Sequence, residues 1–299
     1  MSIIDDIKYQ FKARNVLLQI IIVNVGLFIL LNLLGFLFYM IGKDKDLLWY
    51  HAVTNLAMPY DPQELLYKPW TLLTHFIFHA EFGHLFWNMI TLYFFGRIFS
   101  EYAGNSRILS VFVYGALCGA ALSFLCYLFI PSLQRIEPAS CMLGASGGIM
   151  AIVVGAATLV PNLQVGLMFI GNVAFKYIAL FYVLADLISL QYYSNAGGHI
   201  AHLGGAAFGF LAMTQFKKGT DWTRGFNNFF EWIRSIFSGR QRMKVVHNNK
   251  MKKTDEQFNL ERNKLQQQMD AILDKISRSG YESLSKEEKD ILFKSSKKL

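Results

Sequence analysis

Six apolar blocks, each near the length of a membrane-spanning helix, constrain the fold of this chain more than any other feature. A helix needs about 20 predominantly apolar residues to cross the hydrocarbon core of a bilayer. The blocks are Val16–Gly42, His84–Ser100, Ile108–Ile130, Ala145–Val160, Ala174–Leu190 and His199–Phe216. Only 17% of the 299 residues are charged, whereas an ordinary soluble domain has about 25%. The sequence therefore predicts an all-α polytopic membrane protein built on a bundle of six transmembrane helices.

The distribution of charge predicts the topology. Residues 1–216 contain as many acidic as basic side chains, ten of each, so the net charge of +8 belongs to residues 217–299. Basic residues precede the first block and follow the last, as is typical of cytoplasmic segments. Both termini are therefore expected in the cytoplasm, which an even number of spans requires. The juxtamembrane position of the basic tail favours anionic lipid over nucleic acid as its partner.

Composition divides the chain into four regions. They are a cytoplasmic N-terminus at 1–15, the membrane domain at 16–216 with an outer loop at about 43–83, an interfacial amphipathic helix and linker at 217–254, and a small helical cytoplasmic tail at 255–299. The outer loop is rich in Trp and Tyr, which sit at headgroup depth. Asp221–Arg240 has apolar residues at helical spacing, as in helices that lie in the interface. Ser285 and Glu288 form a capping box that opens the final helix.

The fourth and sixth blocks each have a bare face, that is, a helix face formed by small residues. The two bare faces predict a close helix contact with a serine and a histidine beside it. Gly147 begins a series of small residues at every fourth position, and Gly205 and Gly209 repeat the pattern. Such faces let two helices approach closely, which would bring Ser146 and His202 together. A hydroxyl beside a neutral imidazole is an activated nucleophile. Either face alone is explained by helix packing, but the pair with a histidine at the matching height favours catalysis.

The second block supplies candidate hydrogen-bond donors. His84 and Asn88 are four residues apart and share one face of a helix. Acyl transfer needs donors aimed at the developing oxyanion, and the backbone N–H of Ser146 would be another. The alternative is that His84 and Asn88 only hydrogen-bond to neighbouring helices.

The histidines also suggest a rival chemistry. His75 and His79, with His199 and His202, have spacings that membrane di-iron enzymes use. A metal cluster would leave the glycine-framed serine unexplained, and acidic partners are few, so we expect no metal. Asp186 is the only carboxylate deep in the later blocks; it could orient a histidine, but we interpret it as a structural hydrogen-bonding partner.

Three motifs, in this order, resemble the rhomboid intramembrane serine proteases. They are His84-x-x-x-Asn88, Gly144-Ala145-Ser146-Gly147 and Ala201-His202-x-x-Gly205-x-x-x-Gly209. The run from Phe95 to Gly104 resembles the same family, and the resemblance covers about residues 15–216. It implies a rhomboid-like bundle of six helices. The tail from about Asp270 to Leu299 resembles a short helical extension of some bacterial rhomboids.

The resemblance assigns roles to the candidate residues. It implies that Ser146 is the nucleophile and His202 the general base, in a dyad without a third acid. His84 and Asn88, with the Ser146 backbone N–H, would form the oxyanion hole. Residues that would support the active site are Gly144, Gly147, Gly205, Gly209 and His79. A polar hollow lined by His79, His84 and Asn88 would let water reach Ser146.

The implied function is cleavage of transmembrane segments of other membrane proteins near the outer membrane face, without a cofactor. The expected location is the bacterial cytoplasmic (inner) membrane, with transmembrane protein substrates and membrane lipid as partners, no nucleic acid, and a possible cytoplasmic partner for the tail.

The chain departs from the family pattern at one position. Thr71 follows Trp70 where many rhomboids have arginine, which leaves open how the outer loop is held. Two alternatives remain: a catalytically silent rhomboid relative that binds transmembrane segments, and a six-span transporter.

Overall fold

The computed structural model describes residues 15–134, 141–167, 170–192, 195–237 and 255–296. In chain order the helices are α1 (Val16–Met40), α2 (Lys45–Leu56), α3 (Pro62–Tyr67), α4 (Thr71–Thr74), α5 (Phe82–Ala103), α6 (Ser106–Phe129), α7 (Pro131–Gln134), α8 (Ser146–Leu159), α9 (Phe175–Ser189), α10 (Ala196–Lys217), α11 (Arg224–Phe237), α12 (Asp255–Ser279) and α13 (Lys286–Ser296). Almost all of the predicted N-terminal segment 1–15 and the whole of the predicted linker 241–254 lie outside the described residues.

One helix coincides with each of the six predicted apolar blocks, so the predicted helical bundle is confirmed. The helices are α1, α5, α6, α8, α9 and α10. By length and composition, α1 and α6 are long and apolar enough to cross a membrane, with mean hydropathies of 2.6 and 2.1. α8 is apolar but has only 14 residues. At 1.5 Å per residue it is about 21 Å long, less than the ~30 Å hydrocarbon core, so it cannot reach both surfaces.

α8 occupies the centre of the bundle. It contacts α5, α6, α9 and α10, and ten of its 14 residues are buried. By contrast, α1 and α9 expose large apolar side chains, such as Phe36 and Phe181. A soluble protein rarely leaves so much apolar helix surface uncovered, and lipid is the solvent that such a surface suits.

Backbone-to-backbone contacts confirm that the two predicted bare faces meet. A Cβ atom placed on Gly205 would strike the carbonyl oxygen of Gly147, and one on Gly209 would strike that of Ala151. α6 forms a third side of this contact, because a Cβ on Gly119 would strike the carbonyl of Ala201. Only glycine permits helices to approach this closely.

The outer loop is made of short pieces, and a hydrogen bond and a strand pair tie it to the rest of the chain. β1 (Met58–Pro59) pairs antiparallel with β2 (Cys141–Met142), just before α8. The buried Tyr60 hydroxyl lies 2.7 Å from Ser123 Oγ, and burial raises the pKa of Tyr60 to about 12. Trp70 Nε1 donates to the carbonyl of Asn55 at 2.9 Å. These bonds hold the loop without an arginine after Trp70.

The described part of the tail forms a compact unit of its own, separate from residues 1–239. Gly280, with a φ of +77°, turns the chain between α12 and α13. The predicted capping box is confirmed: Ser285 N–H donates to Glu288 Oε2 at 2.7 Å, and Glu288 N–H donates to Ser285 Oγ at 3.3 Å. A hydrogen bond from Lys275 holds the pKa of Glu288 below its usual value.

Candidate active site

Ser146 is the first residue of α8, and the segment that precedes it is fixed by two histidines. Gly144 adopts a φ of +110°, which favours glycine, and its N–H donates to the carbonyl of His75 at 2.8 Å. The fully buried Ala145 donates its N–H to His79 Nε2 at 3.3 Å. The first N–H groups of a helix lack partners within the helix, so those at the start of α8 are available beside the partly exposed Ser146 hydroxyl.

His202 lies on α10 at one end of the α8–α10 contact. A Cβ on Gly147 would lie 3.5 Å from the carbonyl oxygen of Ala201. Because Ser146 precedes Gly147 and His202 follows Ala201, both candidate side chains leave the helices where the backbones meet. Within the described residues no hydrogen bond joins Ser146 Oγ to His202. Catalytic hydrogen bonds are often long before substrate binds and tighten afterwards.

A carboxylate on α9 holds the candidate base. Asp186 Oδ1 lies 2.8 Å from Nδ1 of His202 and 2.8 Å from Nδ1 of His199. A carboxylate can only accept, so both rings carry a proton on Nδ1. The remaining ring nitrogen of His202, Nε2, then has a lone pair and can accept a proton.

The contact identifies the partners of Asp186. The sequence analysis interpreted this carboxylate as a structural hydrogen-bonding partner, and the structure shows it, 6% exposed, bonded to His199 and His202. The resemblance implied a dyad without a third acid, so a contact between this carboxylate and the candidate base was not expected. The contact forms because α9 packs against α10. Asp186, the one acidic residue of α9, lies on the side of α9 that faces the two histidines.

His84 and Asn88 lie on α5 beside the same segment. The His84 ring covers Gly144, since a Cβ there would lie 2.6 Å from His84 Cε1, and it is within electrostatic reach of His202. The buried Asn88 donates one N–H to His79 Nε2 at 2.9 Å. The structure therefore brings His84, Asn88 and the start of α8 together, as the sequence predicts.

His79, in the segment before α5, accepts two hydrogen bonds that connect α5 to the start of α8. Its Nε2 faces N–H groups of both Asn88 and Ala145, so that nitrogen is an acceptor and the ring is neutral. Burial, together with the nearby His84, lowers the pKa of His79 to about 3. Its Nδ1 is buried and has no hydrogen-bond partner within the described part of the chain.

The predicted rival cluster of four histidines does not form. His75 Nδ1 donates to the carbonyl of Thr71 at 3.0 Å, and His79 is engaged by Asn88 and Ala145. One ligand atom from each of Asp186, His199 and His202 does lie within 4.8 Å of the others.

Two contributors to the site were not assigned from the sequence. One is the hydrogen bond between Asp186 and His202. The sequence feature that pointed to it is the lone carboxylate in an apolar helix, because such residues usually face the bundle interior. The other is α6, where Gly115 and Gly119 repeat the four-residue spacing seen on α8 and α10. A Cβ on Gly115 would strike the side chain of Ala151.

Comparison with known families gives two matches. The Rhomboid domain family matches residues 67–218, just over half of the chain. A family of unknown function, DUF6576, matches residues 252–298.

Curated relatives are similar over the membrane region. RHOMBOID-like protein 12, mitochondrial, from Arabidopsis thaliana is 30% identical over 158 residues, which cover 50% of this chain and 47% of the relative. Presenilin-associated rhomboid-like protein A, mitochondrial, from Danio rerio is 30% identical over 138 residues, covering 44% and 33%. Rhomboid protein 1, mitochondrial, from Saccharomyces cerevisiae is 30% identical over 137 residues, covering 44% and 38%. The chain thus spans a third to a half of the length of these relatives.

Proposed function

This chain belongs to the rhomboid family of membrane proteins, and on that premise we propose that it is a serine endopeptidase that cleaves transmembrane segments of other membrane proteins near the outer membrane face. One observation carries the proposal. Ser146 and His202 are the chain neighbours of Gly147 and Ala201, where α8 meets α10, and Asp186 fixes the His202 tautomer that leaves Nε2 free.

The proposed reaction follows the chemistry of activated serines. His202 Nε2 takes the Ser146 hydroxyl proton as Oγ attacks the substrate carbonyl carbon. Asp186 accepts the Nδ1 proton of His202 in a hydrogen bond and stabilises the imidazolium that forms. His202 then gives its proton to the leaving amine, which leaves an acyl group on Ser146. A water molecule, deprotonated by the same nitrogen, releases the acyl group and restores the hydroxyl.

Oxyanion stabilisation is assigned to three donors. These are the backbone N–H of Ser146, the ring of His84 and the second N–H of Asn88, since its first N–H is bound to His79. One such donor contributes roughly 10²–10³ in rate. The positive end of the α8 dipole points at the same place.

The position of Ser146 at the start of α8 bears on the substrate. A peptide bond within a transmembrane helix is shielded by its own side chains and hydrogen bonds, so the segment must unwind before its carbonyl reaches Ser146. Because α8 is too short to cross the bilayer, Ser146 at its first residue is proposed to lie below the outer surface, reached by water past His79, His84 and Asn88.

The proposed location is the bacterial cytoplasmic membrane, with both termini in the cytoplasm. It rests on the basic residues that flank the six blocks and on the resemblance of the tail to bacterial rhomboid extensions, whereas the relatives above carry mitochondrial names. Proposed partners are transmembrane protein substrates and anionic lipid, with a cytoplasmic partner for the tail. No cofactor or nucleic acid enters the proposal.

Membership of the rhomboid family disfavours the transporter alternative. A catalytically silent rhomboid relative that only binds transmembrane segments is the remaining competitor. It is disfavoured because the chain has the serine, the histidine and a carboxylate that hydrogen-bonds to the histidine.

Cleavage of a single-span reporter substrate by the purified full-length protein in liposomes tests the proposal. We expect cleavage by the wild type, none by Ser146→Ala, and wild-type cleavage by Ser110→Ala, a matched control at a buried serine on α6. Absence of cleavage by a folded wild type with every substrate tried would favour the silent relative. Cleavage that survives Ser146→Ala would mean a different nucleophile.

A further inference from the structure

Asp186, His199 and His202 form a compact group of metal-binding side chains. Asp186 Oδ1 lies 2.8 Å from both Nδ1 atoms, and one ligand atom of each residue lies within 4.8 Å of the other two. Two imidazoles and one carboxylate are a ligand set for Zn²⁺ that leaves a fourth position open to water. We propose that these three residues are an inhibitory binding site for a divalent transition metal, with Zn²⁺ as the preferred ion; the inhibitory part rests on the proposed function.

The geometry needs little adjustment to accept the ion. Ligand atoms about 2.1 Å from a tetrahedral Zn²⁺ lie roughly 3.4 Å apart, so each N–O distance must widen by about half an ångström. Rotation of the three side chains is the change that this requires. His199 and His202 are three residues apart on one face of α10, where side chains are neighbours.

The environment of the group also suits a cation. The Asp186 side chain is only 9% exposed and supplies negative charge, while the two rings are 23% and 21% exposed. A hydrated ion can therefore reach the rings and is neutralised in part by the carboxylate. Imidazole ligands favour Zn²⁺, Cu²⁺ and Ni²⁺, whereas Mg²⁺ and Ca²⁺ prefer oxygen alone.

Metal binding would disable the proposed base by changing its tautomer. In the free site each ring keeps its proton on Nδ1, which donates to Asp186. An ion bound at Nδ1 uses the lone pair of that nitrogen, so the one proton of each neutral ring moves to Nε2 through solvent. No proton is gained or lost overall. His202 Nε2 then carries a hydrogen and cannot accept the proton of Ser146.

His199 distinguishes this inference from the catalytic role of the site. It has no step in the proposed reaction, yet its ring contacts the same oxygen of Asp186 as the His202 ring. Its imidazole provides the third ligand that a metal requires. The expected consequence is that His199 decides whether the enzyme is inhibited by Zn²⁺.

Direct binding is measured first, by titrating Zn²⁺ alone into the full-length protein in detergent, purified without a histidine tag, in a calorimeter. We expect one ion per chain for the wild type and for Ser146→Ala, because Ser146 is not a ligand. Binding should be lost in His199→Gln and in His199→Asn, which keep an N–H donor for Asp186 but lack the imidazole lone pair. His51→Gln, at an exposed histidine of the outer loop, should bind like the wild type.

Inhibition is measured next, as the rate of reporter cleavage with and without saturating Zn²⁺. Loss of a general base costs about 10²–10⁴ in rate, so we expect wild-type cleavage to fall at least about a hundredfold and to recover with EDTA. Each variant is compared with its own metal-free rate, so a change in basal activity cancels; the rate of folded His199→Gln should not respond.

The outcomes separate this inference from the proposed function. No Zn²⁺ binding by the wild type, or equal binding by folded His199→Gln and His199→Asn, would overturn the site. Binding without loss of cleavage would overturn its inhibitory role. A protein that binds Zn²⁺ but never cleaves a substrate would contradict the proposed function and leave the site standing.

Discussion

Asp186 is the residue whose position bears most directly on the chemistry. Its carboxylate fixes the tautomer of His202 and, in the same contact, holds His199. His79 has a similar part next to Ser146, where one acceptor nitrogen binds both Asn88 and the N–H of Ala145. Neither residue is assigned contact with substrate, so both are positioning residues.

Asp186→Asn should lower kcat with little effect on KM. An amide can donate to Nδ1 of His202, which would favour the opposite tautomer and leave Nε2 unable to accept a proton. The corresponding change in a serine protease costs about 10⁴ in kcat, and we expect a loss of 10²–10⁴ in reporter cleavage here. A folded variant with wild-type kcat would show that Asp186 does not position the base. An effect on KM alone would place Asp186 in substrate binding.

His79 should make folding stability depend on pH. The pKa of the ring is about 3 in the fold, below the ordinary value of about 6.5, so the neutral ring favours the folded state. Its contribution is present above about pH 6.5 and is lost as the pH falls toward 3. His75, with a pKa of about 4 through burial, adds a similar dependence.

The measurement is the unfolding midpoint of the protein in detergent over this pH range. Replacing His79 with Gln keeps an acceptor but removes the titrating ring. As the pH falls, the free energy of unfolding of this variant should therefore decrease less steeply than that of the wild type, with a slope smaller by about one proton. Equal slopes for wild type and His79→Gln would mean that His79 is not held neutral by burial.

At the scale of elements, the contact between α8 and α10 is what positions the site. Gly147 and Ala151 on α8 present backbone carbonyls to Gly205 and Gly209 on α10, so the helices touch along their main chains. This contact brings together the backbone segments that carry Ser146 and His202. Any side chain added at the contact must separate them.

Gly205→Ala should therefore abolish cleavage and destabilise the fold. The added methyl group would strike the carbonyl of Gly147, and overpacking of this kind costs about 1–3 kcal/mol. Gly26→Ala is the matched control, because a Cβ at that position in α1 meets nothing within 4 Å. Thermal unfolding and reporter cleavage of both variants are measured together. Wild-type cleavage by Gly205→Ala would contradict the close contact.

The elements were predictable from sequence to different degrees. The six long helices and the bare faces of α8 and α10 follow from block length and residue spacing, which are local properties. The partner of Asp186 could not be predicted, because it depends on how α9 is rotated about its axis against α10. Hydrogen bonds of the outer loop, such as Tyr60 to Ser123, depend likewise on residues 63 positions apart. The role of His79 as a double acceptor depends on the path of the loop before α8.

At the scale of the whole molecule, the residues of the candidate site all lie in the part of the chain that resembles rhomboids. Residues 1–239 form one compact unit and 240–299 another. The tail has its own buried apolar residues, Ile272 and Leu284, and its own capping box. It also matches a family of unknown function rather than the Rhomboid domain.

Removal of residues 241–299 should leave reporter cleavage unchanged. No candidate catalytic residue is lost, and the tail unit folds around its own contacts. The truncated and full-length proteins are compared in the same liposomes, with gel filtration as the control for folding. Loss of cleavage by a well-folded truncation would show that the tail takes part in catalysis or substrate binding.

The central claim is that His202 activates Ser146 where α8 meets α10, and the most direct measurement is the position of a covalent adduct. The full-length protein in detergent is treated with a fluorophosphonate probe, digested and mapped by mass spectrometry. The adduct is predicted on Ser146 in the wild type and absent in His202→Ala. An adduct on another residue, or equally fast modification of Ser146 without His202, would contradict the claim.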